Sequence, residues 1–219
     1  MCILTLVKTS LIFFDLDDTL YRRENGVWLA IRGRIEGYMH ERLHIPKSKV
    51  AALRQAYLTT YGSSLRGLME NYQIDPDEYL LYVHDVDIEG LIRPNANLAK
   101  ALAQLPQRKW VFTNASLEHA RRVLAALGIS QHFSGILDIK ALGLRNKPQV
   151  VAYKQALTVA GGEDPRAAVF VDDQGVNLEP GKALGATTVL VGTREPHPAA
   201  DRSILTVEQL PQALAGLVE

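Results

Sequence analysis

One apolar run of strand length, Leu11-Ile12-Phe13-Phe14, is followed by a stretch without a convincing strand. Only after residue 92 do helix and strand patterns alternate to the end of the chain. That arrangement restricts the fold severely. Repeated βα units imply a parallel sheet covered by helices on both faces. The patterns suggest helices over 95–105, 116–127, 148–160 and 175–184, and strands over 109–113, 135–138, 167–171 and 187–191. Ser116 caps its helix and Gly128-Ile129 stops it in the Schellman manner. Pro148 opens the next helix in its first turn. Thr206 with Gln209 forms a capping box for a terminal helix. The segment 192–202, rich in Pro and polar residues, reads as unstructured.

Residues 22–92 break the alternation. Trp28, Ile31, Ile35 and Met39 recur at helical spacing, as do Val50, Leu53, Tyr57 and Tyr61, and shorter helices are expected over 64–71 and 76–83. Six of the eight tyrosines fall here, mostly as amphipathic core. The expected organisation is a Rossmann-like α/β core of residues 1–21 and 93–219, three layers deep. An all-helical cap of residues 22–92 is inserted after the first strand.

The balance of 24 Lys+Arg against 24 Asp+Glu provides no global basic field for nucleic acid or anionic membranes. The single cysteine, Cys2, excludes an intrachain disulfide framework and a Cys-based zinc site, and suits a reducing cytoplasm. The apolar N-terminal stretch resembles a signal peptide only superficially, since Lys8 interrupts it and it runs into Asp15. No apolar stretch is long enough to span a bilayer.

Chemistry collects where the expected strands end. Asp15 and Asp17 follow the first strand, and residues two apart in extended chain project to the same side. Like charges so placed need a cation between them or a shared proton. Thr113 and Asn114 follow the second strand, Lys147 stands in Asn146-Lys147-Pro148, and Asp172-Asp173 follow a later strand. Each has an ordinary reading as a turn or helix entrance. Together they match phosphoryl transfer, which needs positioning and neutralisation of charge on the equatorial oxygens. Asp15, the Asp17 carbonyl and Asp173 would suit Mg²⁺. A carboxylate can act as nucleophile through an aspartyl-phosphate. Asp17 can move the proton, and Thr113, Asn114 and Lys147 can supply donors and charge.

The ordered set Asp-x-Asp-x-Thr, Thr-Asn, Lys-Pro and Asp-Asp resembles the haloacid dehalogenase superfamily of phosphohydrolases. The resemblance implies that Asp15 is the nucleophile, Asp17 the acid/base, and Thr113 and Lys147 phosphate contacts. It implies Mg²⁺ held by Asp15, Asp17 and Asp173, with Asp172 in support. Within the superfamily, the stretch from Tyr61 to Leu68, Phe112-Thr113-Asn114-Ala115-Ser116 with His119-Ala120, and Asp172-Asp173-x-x-x-Asn177 look like the pyrimidine 5′-nucleotidase group. Gln174 departs from it, where many relatives place Ser. The expected substrate is therefore a small phosphorylated metabolite, a nucleoside 5′-monophosphate, handled by a monomer or homodimer. Its leaving group would be read by Arg66 and Tyr61, with His84 and Asp85 next. Phosphatases for phosphoglycolate or sugar phosphates, a phosphomutase, a metal-independent dehalogenase and a catalytically silent binding module are the alternatives. The dehalogenase would have no use for Asp17 or the Asp172-Asp173 pair.

Overall fold

The computed structural model describes residues 9–162 and 164–215. Cys2 and most of the apolar N-terminal stretch lie outside these residues. Six parallel strands form one sheet: β1 (Leu11–Phe14), β2 (Arg108–Phe112), β3 (Gly135–Leu137), β4 (Ala168–Asp172), β5 (Thr187–Val191) and β6 (Arg202–Ile204). Their spatial order is β3-β2-β1-β4-β5-β6, the doubly wound Rossmann arrangement. The strand period of two is visible in how β1 is buried. Leu11 and Phe13 join one apolar cluster with Phe112, Tyr153 and Phe170. Ile12 and Phe14 face the other, with Val111, Val169 and Val189. A strand apolar at every position is thus covered on both sides.

Between β1 and β2 the chain makes a 3₁₀ turn (Arg23–Asn25) and six helices: α1 (Val27–Glu41), α2 (Lys47–Tyr61), α3 (Ser64–Asn71), α4 (Pro76–Val83), α5 (Ile88–Leu91) and α6 (Ala96–Gln104). Gly62, in left-handed conformation at φ 77°, ends α2. The Ser63 hydroxyl accepts from Arg66 N to start α3. Gly67 lets α3 lie against α2, since a Cβ there would stand 2.2 Å from the Tyr57 ring. Tyr38, Tyr79 and Tyr82 pack edge to face between α1 and α4.

The remaining helices are α7 (Leu117–Leu127), α8 (Val150–Val159), α9 (Gly175–Ala183) and α10, described over Leu210–Ala215. Ser116 caps α7 by accepting from His119 N. Gly128 at φ 72° closes it, with Ile129 N donating to Leu124 O, the expected Schellman stop. Three local expectations need correction. Helix α8 begins at Val150 with Gln149 as its N-cap, so Pro148 lies before the helix. The 206–209 capping box does not form: Thr206 makes no side-chain cap, and Gln209 Oε1 accepts from Leu205 N instead. Segment 192–202 is irregular up to residue 201 but pinned. Asp201 accepts from Thr188 N and Oγ1 and pairs with Lys182, and at Arg202 the chain becomes the sixth strand. Three residues at a sheet edge carry too little periodicity to be read as a strand.

Candidate active site

The end of β1 adjoins β2 on one side and β4 on the other. The chain reverses its direction of winding there, and open α/β sheets bind ligands at such a point. Asp15 N still donates to Val171 O, so the nucleophile candidate sits on the last rung of the ladder. The chain then turns sharply through Asp18, which adopts φ 58°. Asp15, Asp17, Thr113, Asn114, Lys147 and Asp173 all line one cavity of about 1080 Å³.

Lys147 is the hub. Its ammonium, 2% exposed, donates to Asp15 Oδ1 and to Asp172 Oδ2, both at 2.6 Å. Burial favours the neutral amine, but the two carboxylates outweigh it and hold the lysine firmly charged. Asp172 also accepts from Gln174 N and Asn177 Nδ2, which fixes it as the anchor of the lysine. The Asn114 amide clamps the lysine from its other end, its Oδ1 accepting from Lys147 N at 2.8 Å and its Nδ2 donating to Lys147 O at 3.2 Å. Asn114, expected to face a phosphoryl group, lines the cavity, and its amide aims Lys147 while one Nδ2 hydrogen is left over. Thr113, 2% exposed, accepts from Ala115 N through Oγ1 and keeps its hydroxyl proton to give.

Asp15 and Asp17 reach the same cavity, yet the repulsion expected between them is not the governing one. Burial, then Asp172 and Asp173, raise the Asp15 carboxyl well above its usual range, against the pull of Lys147. Thr19 Oγ1 donates to its other oxygen at 3.2 Å. Asp17 has its own partners: His119 Nε2 lies 2.7 Å and the Tyr21 hydroxyl 2.6 Å from Oδ1. Burial pushes this carboxyl up, but His119 and Tyr21 outweigh it and hold it below the ordinary value. Neither partner was singled out as a functional residue from the sequence. Tyr21 stands four residues after Asp17, the one signal available for it.

The donor set suits a hard divalent cation. One oxygen each from Asp15, Asp172 and Asp173 lies within 4.8 Å of the others. Asp173 is pushed up to about 7, by burial and then by Asp172, the mark of carboxylates crowded without enough positive charge. Gln174 Nε2 donates to Asp173 Oδ2 at 2.5 Å, so the departure at that position still serves the carboxylate. The Asp17 carboxylate is outside this cluster, which leaves its main-chain carbonyl as the ligand it could offer.

The roof of the cavity comes from α1 to α4. Trp28, Ile31, Ile35, Leu58 and Leu65 make it apolar, and Tyr61, Arg54 and Arg66 are on its lining. Arg66 is half-exposed and paired with Glu70 at 2.6 Å. The Tyr61 hydroxyl accepts from Asn71 Nδ2 at 3.4 Å, while its carbonyl accepts from Asn146 Nδ2 at 2.9 Å. His84 is buried, stacked on His119 with ring centroids 4.5 Å apart, and its Nδ1 lies 3.2 Å from Ser116 Oγ. It still contributes to the cavity lining, on the side of the roof where a leaving group would lie. Asp85 is exposed, pairs with Arg34, and is not part of the lining. Arg54 went unnoticed in the sequence. It is 7% exposed and 3.2 Å from Glu36 Oε1, without the alignment of a hydrogen bond, while that carboxylate also accepts from Arg32.

Among the described residues no helix is long and apolar enough to cross a membrane. Known proteins similar to this chain bear on its family and fold. Phosphate metabolism protein 8 of Saccharomyces cerevisiae is 28% identical over 193 residues, 81% of this chain and 60% of that protein, so the chain spans less than two thirds of its relative. Glyceraldehyde 3-phosphate phosphatase of Methanocaldococcus jannaschii is 25% identical over 194 residues, 82% of this chain and 83% of that one. The solved structure of L-2-haloacid dehalogenase from Xanthobacter autotrophicus superposes with a TM-score of 0.64 at 18% identity, covering 95% of this chain and 99% of that one, a likeness of fold. A family model described as haloacid dehalogenase-like hydrolase matches residues 9–185, from before the first strand to beyond the helix that follows the carboxylate pair, and the chain belongs to that family.

Proposed function

We propose that the chain is a Mg²⁺-dependent phosphomonoester hydrolase that works through an aspartyl-phosphate on Asp15, with residues 1–21 and 93–219 as its catalytic core and 22–92 as its cap. The observation that carries this reading is the convergence of Asp15, Lys147, Asp172 and Asp173 in one buried cluster beneath a large roofed cavity. An Asp15 oxygen attacks phosphorus as the ester P–O bond breaks. The bond's electron pair leaves on the ester oxygen, which takes its proton from Asp17. Water then attacks the phosphoryl group and gives a proton to Asp17, and the Asp15–phosphorus bond breaks to regenerate the carboxylate. Lys147 and the Thr113 hydroxyl stabilise charge on the equatorial oxygens. Asp15 and Asp173, with the Asp17 carbonyl and support from Asp172, would hold Mg²⁺, which supplies positive charge against the phosphoryl oxygens. The roof keeps bulk water from the intermediate.

The roof supports one substrate class. An apolar and aromatic surface carrying guanidinium groups suits a flat, oxygen-bearing leaving group, and we assign a nucleoside 5′-monophosphate, in keeping with the nucleotidase-like stretch from Tyr61 to Leu68. The test is a panel of nucleoside monophosphates, sugar phosphates and phosphoglycolate, with and without Mg²⁺, alongside Asp15→Asn. Turnover should need Mg²⁺ and vanish in Asp15→Asn while the fold persists, because the change is nearly isosteric. Near wild-type kcat in that variant would sink the nucleophile assignment. Phosphoglycolate or a sugar phosphate outpacing every nucleotide would move the substrate and leave the chemistry intact.

A further inference from the structure

We infer that His119 is a positioning residue for Asp17: its ring N–H holds one carboxylate oxygen so that the other is aimed at the ester oxygen. This rests on the reading of Asp17 as acid/base. The His119 side chain has no exposure and is absent from the cavity lining, so it cannot touch substrate. Its Nε2 lies 2.7 Å from Asp17 Oδ1. Its Nδ1 is buried without a partner among the described residues. Facing a carboxylate, which can only accept, Nε2 carries a hydrogen and donates it to Asp17 Oδ1. The Tyr21 hydroxyl takes up the same oxygen at 2.6 Å. Both donors thus load Oδ1, and Oδ2, with no protein partner among the described residues, is left to carry the mobile proton.

The ring has little freedom to leave this position. His119 sits in the first turn of α7, directly after the Ser116 cap, and Ser116 Oγ accepts from its backbone N–H. His84 stacks on its face at 4.5 Å and 20°. Burial pushes the His84 ring down to about 3, so the stacked ring stays neutral at working pH. A donor held by a helix start and a stacked ring fixes a carboxylate rotamer without taking part in the reaction.

The test compares two Mg²⁺-loaded substrates, 4-nitrophenyl phosphate, whose leaving group needs little acid help, and a primary alkyl phosphate, whose leaving group needs much. Asp17→Asn should cost kcat/KM on the alkyl ester about 100-fold or more and spare the aryl ester by comparison. Equal losses there would remove the acid/base reading itself. With that selectivity in place, His119→Leu should lose at least about tenfold on the alkyl ester and stay within about threefold on the aryl ester. For the aryl ester kcat and KM should fall together, because slower attack of water on the phosphoenzyme lowers both. His119→Gln, whose amide can reach Asp17, should recover most of the loss. If His119→Leu does not fold, His119→Asn, too short to reach, takes its place against His119→Gln. Equal losses on both esters, or no advantage of Gln over the variant without a donor, would make His119 a packing residue and overturn the inference.

Discussion

Single residues carry most of the chemistry here, and their partners decide what each can do. Arg54 and Arg66 are the instructive pair. Both are on α2 or α3 and both line the cavity, but Arg66 already has Glu70 as an i,i+4 partner and is half-exposed. Arg54 is nearly inaccessible, and the one carboxylate paired with it among the described residues is shared with Arg32. A buried guanidinium lacking full partners gains more from a ligand oxygen than a solvated, paired one does. Arg54→Ala should therefore raise KM for a nucleoside monophosphate about tenfold or more, and Arg66→Ala only a few-fold. Hydrolysis of a small aryl phosphate, which does not reach the roof, should be unchanged in both. A larger loss from Arg66→Ala would return the role to it. The burial of Arg54 was legible in principle, because it shares a helix face with Val50 and Tyr57 at spacings of four and three. A lone charge on that face is easily taken for a solvated one. The strand-end carboxylates and Lys147 were legible because residue type and position agreed. The holding of Asp17 by His119, 102 residues away, has no local signature at all.

At the scale of elements, the alternating pattern after residue 92 could be read because long strands and capped helices repeat their signals. Helix α7 is the clearest case, with Ser116 and Gly128 at its two ends. Strand β6 and the start of α8 escaped because three edge residues or one proline carry little information. What no pattern could show is how the helices between β1 and β2 meet the sheet. The junction is narrow. Tyr61 O accepts from Asn146 Nδ2, and a Cβ on Gly62 would come within 2.8 Å of that nitrogen and 2.7 Å of Pro148 Cδ. Asn146 adjoins Lys147, so the end of α2 is seated on the loop that supplies the ammonium. Gly62→Ala faces both a left-handed backbone and a blocked contact, and should cost about 1–3 kcal/mol of stability. It should also depress kcat, since the loop must shift to admit the methyl group. Chemical denaturation and steady-state assay of the same preparation measure the two effects. Full activity in a destabilised Gly62→Ala protein would show that the junction does not constrain Lys147.

For the whole molecule the charges balance at 24 against 24, yet they do not balance locally. Asp15 and Asp172 share Lys147, while Asp173 beside them has only the exposed Arg23, 3.5 Å away, as a cationic partner among the described residues, and is pushed up to about 7 from an unfolded value near 3.8. A carboxyl whose folded pKa is raised contributes its stability in full below the unfolded value and loses it as pH rises through the folded one. The metal-free protein should thus lose stability between about pH 4 and pH 7 on account of this group. A bound divalent cation acts in the opposite sense. It favours the ionised carboxylates, competes with protons for them, and stabilises the fold in proportion to its occupancy. The gap in Tm between Mg²⁺-saturated and EDTA-treated protein should therefore widen as pH is raised from about 5 to about 8. At 100-fold excess over Kd the stabilisation is about 2.7 kcal/mol, which for a chain of this size is a gap of roughly 5–10 °C. Asp173→Asn removes both the titrating carboxyl and a ligand, and should abolish most of the gap and its pH dependence while leaving the metal-free protein at least as stable as the wild type near pH 7. Thermal melts of the two proteins across that range decide it. A gap that does not change with pH, or that survives intact in Asp173→Asn, would mean that the cation is held elsewhere and that the crowded carboxylates serve only to anchor Lys147.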